Sequence, residues 1–113
     1  DLNLYLRQLE QVLIDLLECL DLPGKRIDGL TGVWCDGLKV ASIGVGCRRW
    51  ITQHGLALNV NCELSGFNEI LPCGLNGISI GNLNNWIPGI QVREVEPLMK
   101  RCLAKRFSLI WNN

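Results

Sequence analysis

The chain has 113 residues, 48% of them hydrophobic, with eleven basic and eleven acidic side chains and a formal net charge of zero. That length suits one small domain or part of a larger one, and the balanced charge gives no electrostatic reason to bind nucleic acid or an anionic membrane. No apolar run approaches the roughly 20 residues of a membrane span and no basic-then-apolar signal opens the chain, so a soluble intracellular protein is expected.

Apolar residues recur first at Leu2, Leu6, Leu9, Val12, Leu13, Leu16, Leu17 and Leu20. This spacing predicts a helix over 2–20, with Arg7, Gln8, Glu10, Gln11, Asp15 and Glu18 mostly filling the opposite face. Pro23 and Gly24 end it. A β-hairpin follows, its strands at 33–35 and 38–47 joined by Asp36-Gly37, a strong two-residue turn signal. A third strand is predicted over 54–61, where Leu56, Leu58 and Val60 alternate with smaller or polar residues. Ser65 suits the N-cap of a short helical turn through Phe67 and Ile70. The segment 77–80, "GISI", reads as another short strand. Val95, Leu98, Met99, Cys102, Leu103 and Phe107 mark a closing helix. There is no internal repeat, low-complexity tract or linker.

Six cysteines stand at 19, 35, 47, 62, 73 and 102, with no CxxC pair. An even count is compatible with disulfides, but the apolar content argues for a packed core and free thiols in a reducing compartment. Cys19 and Cys102 fall in helical patterns, and Cys35 and Cys47 in strand-like ones, where small buried residues are common. The single histidine, His54, has no paired ligand at metal spacing, so no metal site is expected.

Cys73 is different, because Pro72 and Gly74 flank it. Proline fixes φ and glycine permits unusual backbone angles, so a tight turn that aims the cysteine side chain is expected here. Such a setting serves a nucleophile, and it also serves an ordinary turn. Lys39 opens a strand beside a hairpin turn, where a solvated lysine is usual. Alternation nevertheless places it on the face of Ala41 and Ile43, and a buried lysine needs a partner.

The stretches "GLTGVWCDGLKVASIGV", "RRWITQHGLALNVN" and "FNEILPCGL" follow one another in the order found in lipoyl(octanoyl) transferases, and the chain resembles that family from its first helix to its last. The resemblance implies an α+β fold, a mostly antiparallel sheet with packed helices. The domain would be part of the biotin/lipoate protein ligase-like, class II synthetase-like architecture. It implies an acyltransferase that moves an octanoyl or lipoyl group from acyl carrier protein to a lysine of a lipoyl domain. The acceptors would be the E2 subunits of 2-oxoacid dehydrogenases and the glycine cleavage H protein. No cofactor is implied, because the donor thioester is already activated, and the expected location is the cytoplasm or, in a eukaryote, an organelle lumen.

Residue by residue, Cys73 matches the family's nucleophile, which accepts the acyl chain as a thioester, and Lys39 matches its activating lysine. A free thiol with pKa near 8.5 is only a few per cent ionised at neutral pH, and a nearby ammonium favours the thiolate. Ser42, Ile43 and Gly44 match one substrate-contacting stretch, and Gly55, Leu56 and Ala57 another. Small residues suit a narrow slot for an eight-carbon chain, although strand glycines also mark bulges or tight packing. His54 matches the pocket wall rather than a general base. Trp34 and Trp50 read as core, and Cys47 and Cys62 as structural.

The family's Arg-Gly-Gly stretch and His-x-Pro-Gly-Gln-type loop are absent, and the chain opens close to where the family's first half ends. Residues 1–113 are therefore expected to form a single partial domain, the C-terminal half of an octanoyltransferase. Two rivals remain. One is a non-catalytic fragment or a split half that needs its N-terminal complement. The other is an ATP-dependent lipoate or biotin ligase, which needs no cysteine nucleophile.

Overall fold

The computed structural model describes residues 2–43, 50–51, 56–61 and 79–111. Helix α1 (Leu2–Cys19) leads into five strands: β1 (Gly24–Lys25), β2 (Val33–Cys35), β3 (Leu38–Ile43), β4 (Trp50–Ile51) and β5 (Leu56–Leu58). A 3₁₀ turn (Leu83–Asn85) and helix α2 (Val92–Trp111) complete the elements among the described residues. The strands form one antiparallel sheet in the order β1-β2-β3-β5-β4, and α1 packs on β1, β2 and β3 as well as on α2. The expected α+β class is what the structure shows.

Amphipathic spacing explains α1. Leu9, Val12, Leu13, Leu16 and Leu17 lie one or two turns apart and are all buried against the sheet and α2. From α2 come Val95, Met99, Cys102 and Phe107, and from the strands Val33, Cys35, Val40, Ala41, Leu56 and Leu58. One continuous apolar core therefore joins both helices to the sheet. Glu10 departs from its expected place on the polar face, for its side chain is completely buried. Cys19 departs the other way, exposed at the end of α1.

The hairpin joins β2 to β3 through Asp36 and Gly37, with φ of 49° and 83°. Two successive positive φ values give the mirror-image turn whose twist matches that of paired strands, which is why Asp-Gly signals it. The Trp86 indole N–H donates to Asp36 Oδ2 at 2.8 Å, tying the turn to the loop before α2.

Two short elements differ from the sequence reading. Gly24, read only as part of the stop after the helix, and Lys25 pair with Cys35 and Trp34 to make β1. The expected strand at 77–80 appears, within its described part, as a single parallel bridge between Ile80 and Lys39. The 38–47 strand is described as far as Ile43, and the helical turn expected at 65–70 lies outside the described residues.

Candidate active site

Among the expected site residues, Lys39, Ser42, Ile43, Leu56 and Ala57 are described, and they gather on two neighbouring strands. Ser42 pairs with Ala57 and Ile43 with Leu56 across β3 and β5, while Lys39 is the second residue of the same β3. The two substrate-contacting stretches are thus brought side by side. Gly44, His54, Gly55 and Cys73 lie outside the described residues, as do Cys47 and Cys62.

Lys39 is not the solvated lysine usual next to a hairpin turn, for it is only 8% exposed. Three features of the local backbone put it inside. Its N–H donates to the Ser79 carbonyl at 2.8 Å, and its carbonyl accepts from Gly81 N–H at 2.9 Å, so both backbone groups are committed to the 79–81 segment. Its register partner on β2 is Trp34. With the Lys39 backbone bonded elsewhere, that pairing is of the non-hydrogen-bonded kind, which brings facing side chains closest. The register then slips between Val33 and Trp34, so Val33 faces Ala41 while Trp34 faces Lys39. A slip of this kind is a bulge, and bulges re-aim side chains. It also breaks simple alternation, leaving Lys39, Val40 and Ala41 all buried in succession.

Two neighbours confine the lysine side chain. Its Nζ stands 5.4 Å from the centre of the Trp34 ring, within cation–π range. The Gly32 backbone lies against its stem, beside the same ring. Gly32 has φ +142°, and a Cβ there would lie 2.7 Å from Lys39 Cε and 2.9 Å from the Ala41 carbonyl oxygen. Only glycine fits. Among the described residues, no carboxylate lies within ion-pairing distance of Lys39.

This matters chemically. A buried cation ordinarily takes an anionic partner, because leaving water is costly. Here a ring face holds the ammonium, and its charge is not consumed by any described side chain. Such a group can stabilise an anion supplied by a neighbouring segment or by a substrate, or exchange a proton with it. Among the described residues there is no group of three or more histidine, cysteine or acidic side chains that could bind a metal ion. Nor is any described helix long and apolar enough to cross a membrane.

Sequence reasoning assigned Trp34 to the core, and it is only 4% exposed. What it missed is the ring's second role under Lys39. The "TGVW" string held that signal, since the glycine and tryptophan flank the residue that pairs past the bulge. The remaining described thiols, Cys19, Cys35 and Cys102, are free. Burial, and then the charge of Asp36, push the Cys35 thiol pKa up, which marks it as structural rather than nucleophilic.

A family model described as the lipoyl protein ligase A/B catalytic domain matches residues 1–104. The chain is 63% identical over 111 residues to an octanoyltransferase of Parasynechococcus marenigrum (strain WH8102), covering 98% of this chain and 48% of that protein. It is likewise 63% identical to an octanoyltransferase of Prochlorococcus marinus (strain MIT 9313), covering 98% of this chain and 46% of that protein. With an octanoyltransferase of Synechococcus sp. (strain WH7803) it shares 64% identity over 109 residues, 96% of this chain and 44% of the relative. The chain thus spans about half the length of the curated relatives it matches.

Proposed function

The chain belongs to the lipoyl protein ligase A/B catalytic domain family, and on that premise we propose that it carries the catalytic pair of an octanoyltransferase. The observation that carries this reading is the buried, carboxylate-free ammonium of Lys39 on β3. Residues 1–113 then correspond to the C-terminal half of the catalytic domain. The free thiols at Cys19, Cys35 and Cys102 suit a reducing compartment such as the cytoplasm.

The reaction is an acyl exchange through Cys73. Its thiolate attacks the carbonyl of octanoyl-acyl carrier protein, and backbone amides after Pro72 stabilise the oxyanion. The carrier thiolate leaves and takes a proton from the Lys39 ammonium, and the octanoyl group remains on Cys73 as a thioester. A lysine of a lipoyl domain, arriving neutral, attacks that thioester. An amide forms, the C–S bond breaks, and the proton from the attacking amine passes to Lys39 or water. Neither ATP nor a metal enters, because the thioester donor supplies the driving force.

Lys39 has two tasks in this scheme. Its positive charge favours the Cys73 thiolate over the thiol, and its amine moves the proton in the second half-reaction. Connectivity supports the pairing, for Ser79 follows Cys73 by six residues and its carbonyl accepts from the Lys39 N–H at 2.8 Å. Six residues reach at most about 20 Å, so the thiol is tethered to the strand edge that holds the lysine. The pairing of Ser42 with Ala57 and of Ile43 with Leu56 supports a shared role of the two stretches beside the octanoyl chain.

Mass spectrometry of the full-length protein after incubation with octanoyl-acyl carrier protein tests the reading. A single hydroxylamine-labile octanoyl adduct on Cys73, absent from Cys73→Ser, is the expected result. An adduct on Cys62 or Cys47 overturns the assignment, and adenylate formation from free octanoate and ATP reassigns the chain to the ligases.

A further inference from the structure

We propose that Glu10 is a positioning residue that fixes the Lys39 ammonium by holding the Gly32 backbone against the lysine's last methylene. The consequence for catalysis rests on the role of Lys39 proposed above, whereas the geometric link from Glu10 to Lys39 does not.

Glu10 lies in the middle of α1 with a fully buried carboxylate that the acyl-transfer scheme does not use. Its Oε2 accepts the Gly32 N–H at 2.9 Å. Its Oε1 accepts from Arg26 Nε at 3.1 Å and lies 3.3 Å from Arg7 Nε. Arg26 is itself pinned, since its Nη2 donates to the Arg7 carbonyl and to Gln11 Oε1, both at 3.1 Å. The two arginines take up the carboxylate's charge, so Glu10 does not compete for Lys39. What remains for Oε2 is one short, charge-assisted bond to a single backbone amide.

That amide belongs to the residue that can least be moved without disturbing Lys39. Gly32 stands between the Glu10 carboxylate and the lysine stem, close enough that an added Cβ would come within 2.7 Å of Lys39 Cε. Its φ of +142° has no intrinsic preference to hold the segment in place, which makes an external anchor necessary. The other neighbour, Trp34, is held by its place in the sheet. Release of Gly32 therefore loosens the packing on the lysine stem. A proton-transfer group misplaced by even 1 Å loses about a hundredfold in rate.

Two substitutions separate positioning from charge. Glu10→Gln keeps the length and one acceptor for Gly32 N–H. Glu10→Asp keeps the charge but, one methylene shorter, cannot reach Gly32 and both arginines together. The reactivity of Lys39 toward trace acetic anhydride, mapped by mass spectrometry relative to exposed Lys100, reports its confinement directly. Alkylation of the buried Cys35 thiol in the same samples reports any general opening of the sheet. In the full-length protein, Glu10→Asp is expected to raise Lys39 labelling several-fold with Cys35 unchanged, and to lower kcat with KM for the acyl donor preserved. Glu10→Gln is expected to stay near the parent in both. Raised labelling with full transfer activity retains the positioning role and removes Lys39 from the mechanism. Unchanged Lys39 labelling in Glu10→Asp, or labelling that rises only together with Cys35, overturns the proposal.

Discussion

Lys39 and Trp34 face each other across β3 and β2, and the ammonium stands 5.4 Å from the centre of the ring. An aromatic face is a weak substitute for water, worth about 0.5–2 kcal/mol against a desolvation cost of several. Lys39 is therefore held at a net cost to the fold. Replacing it by methionine, which matches its length and carries no charge, is expected to raise stability by about 1 kcal/mol while abolishing transfer. Urea denaturation of the parent and Lys39→Met measures this. A destabilised Lys39→Met would show that the ammonium contributes to folding instead.

The same group is expected to control the Cys73 thiol. In Lys39→Ala the pH at which iodoacetamide alkylation of Cys73 is half-maximal should move toward that of a free cysteine, because the nearby cation is gone. Lys39→Arg keeps the charge but cannot give up its proton near neutral pH. It should retain most of the parent alkylation profile and still fail in transfer to the lipoyl lysine. Three coincident profiles would exclude Lys39 as the activating group and leave His54 as the next candidate.

Much of this frame was legible because local spacing and burial agree. The leucine spacing of α1 gives its buried face directly, and Asp36-Gly37 specifies both a turn and its hand. Glu10 and Lys39 were harder, because their places depend on partners far along the chain. Periodicity puts Glu10 among polar residues, yet a backbone amide 22 residues away and two arginines draw it inside. Alternation put Lys39 with Ala41 and Ile43, but the slip between Val33 and Trp34 buries Val40 on the way. A bulge is a property of two strands together, so neither strand's sequence announces it. The two-residue β1 was illegible for the same reason, since it exists only through its pairing with Trp34 and Cys35.

Two glycines with positive φ should respond differently to one methyl group. Gly37, at φ 83°, has no atom within 4 Å of an added Cβ, so Gly37→Ala meets only backbone strain, about 1–2 kcal/mol. Gly32 combines its φ of +142° with contacts at 2.7 Å to Lys39 Cε and 2.9 Å to the Ala41 carbonyl. A flexible lysine yields, and a strand carbonyl does not. Gly32→Ala should therefore cost more than Gly37→Ala in thermal unfolding, and it alone should change the reactivity of Lys39. Equal losses in both variants would mean that the walls around the lysine are softer than their spacing implies.

The α1–α2 interface carries a thiol that should make stability depend on alkaline pH. Cys102, on α2, is 8% exposed and lines a cavity of about 400 Å³ with Asp15, Glu18 and Cys19 from α1 and Arg101, Lys105 and Arg106 beside it. Burial, the neighbouring Cys19 thiol and the Asp15 charge disfavour its thiolate, and Arg101 offsets them only in part. The result is a pKa raised from 9.0 to about 11. Asp15 is not free to relax, because Arg106 Nη2 holds its Oδ2 at 3.1 Å. In the unfolded chain the thiol loses its proton near pH 9, whereas in the folded protein it keeps that proton to about 11. Between those values the folded state binds the extra proton, so the thiol's contribution is complete below about pH 9 and is lost as pH rises through 11. At 1.36 kcal/mol per unit, the loss amounts to about 2 kcal/mol by about pH 10.5. Cys102→Ala removes this component but leaves that of Cys35, whose pKa is also raised. Urea midpoints of the parent and Cys102→Ala, taken under reducing conditions from pH 7.5 upward, should therefore run parallel to about pH 9. Above it they should converge or cross, the parent falling faster. Curves that stay parallel throughout would mean that the Cys102 thiol ionises no differently in the folded protein than in the unfolded chain.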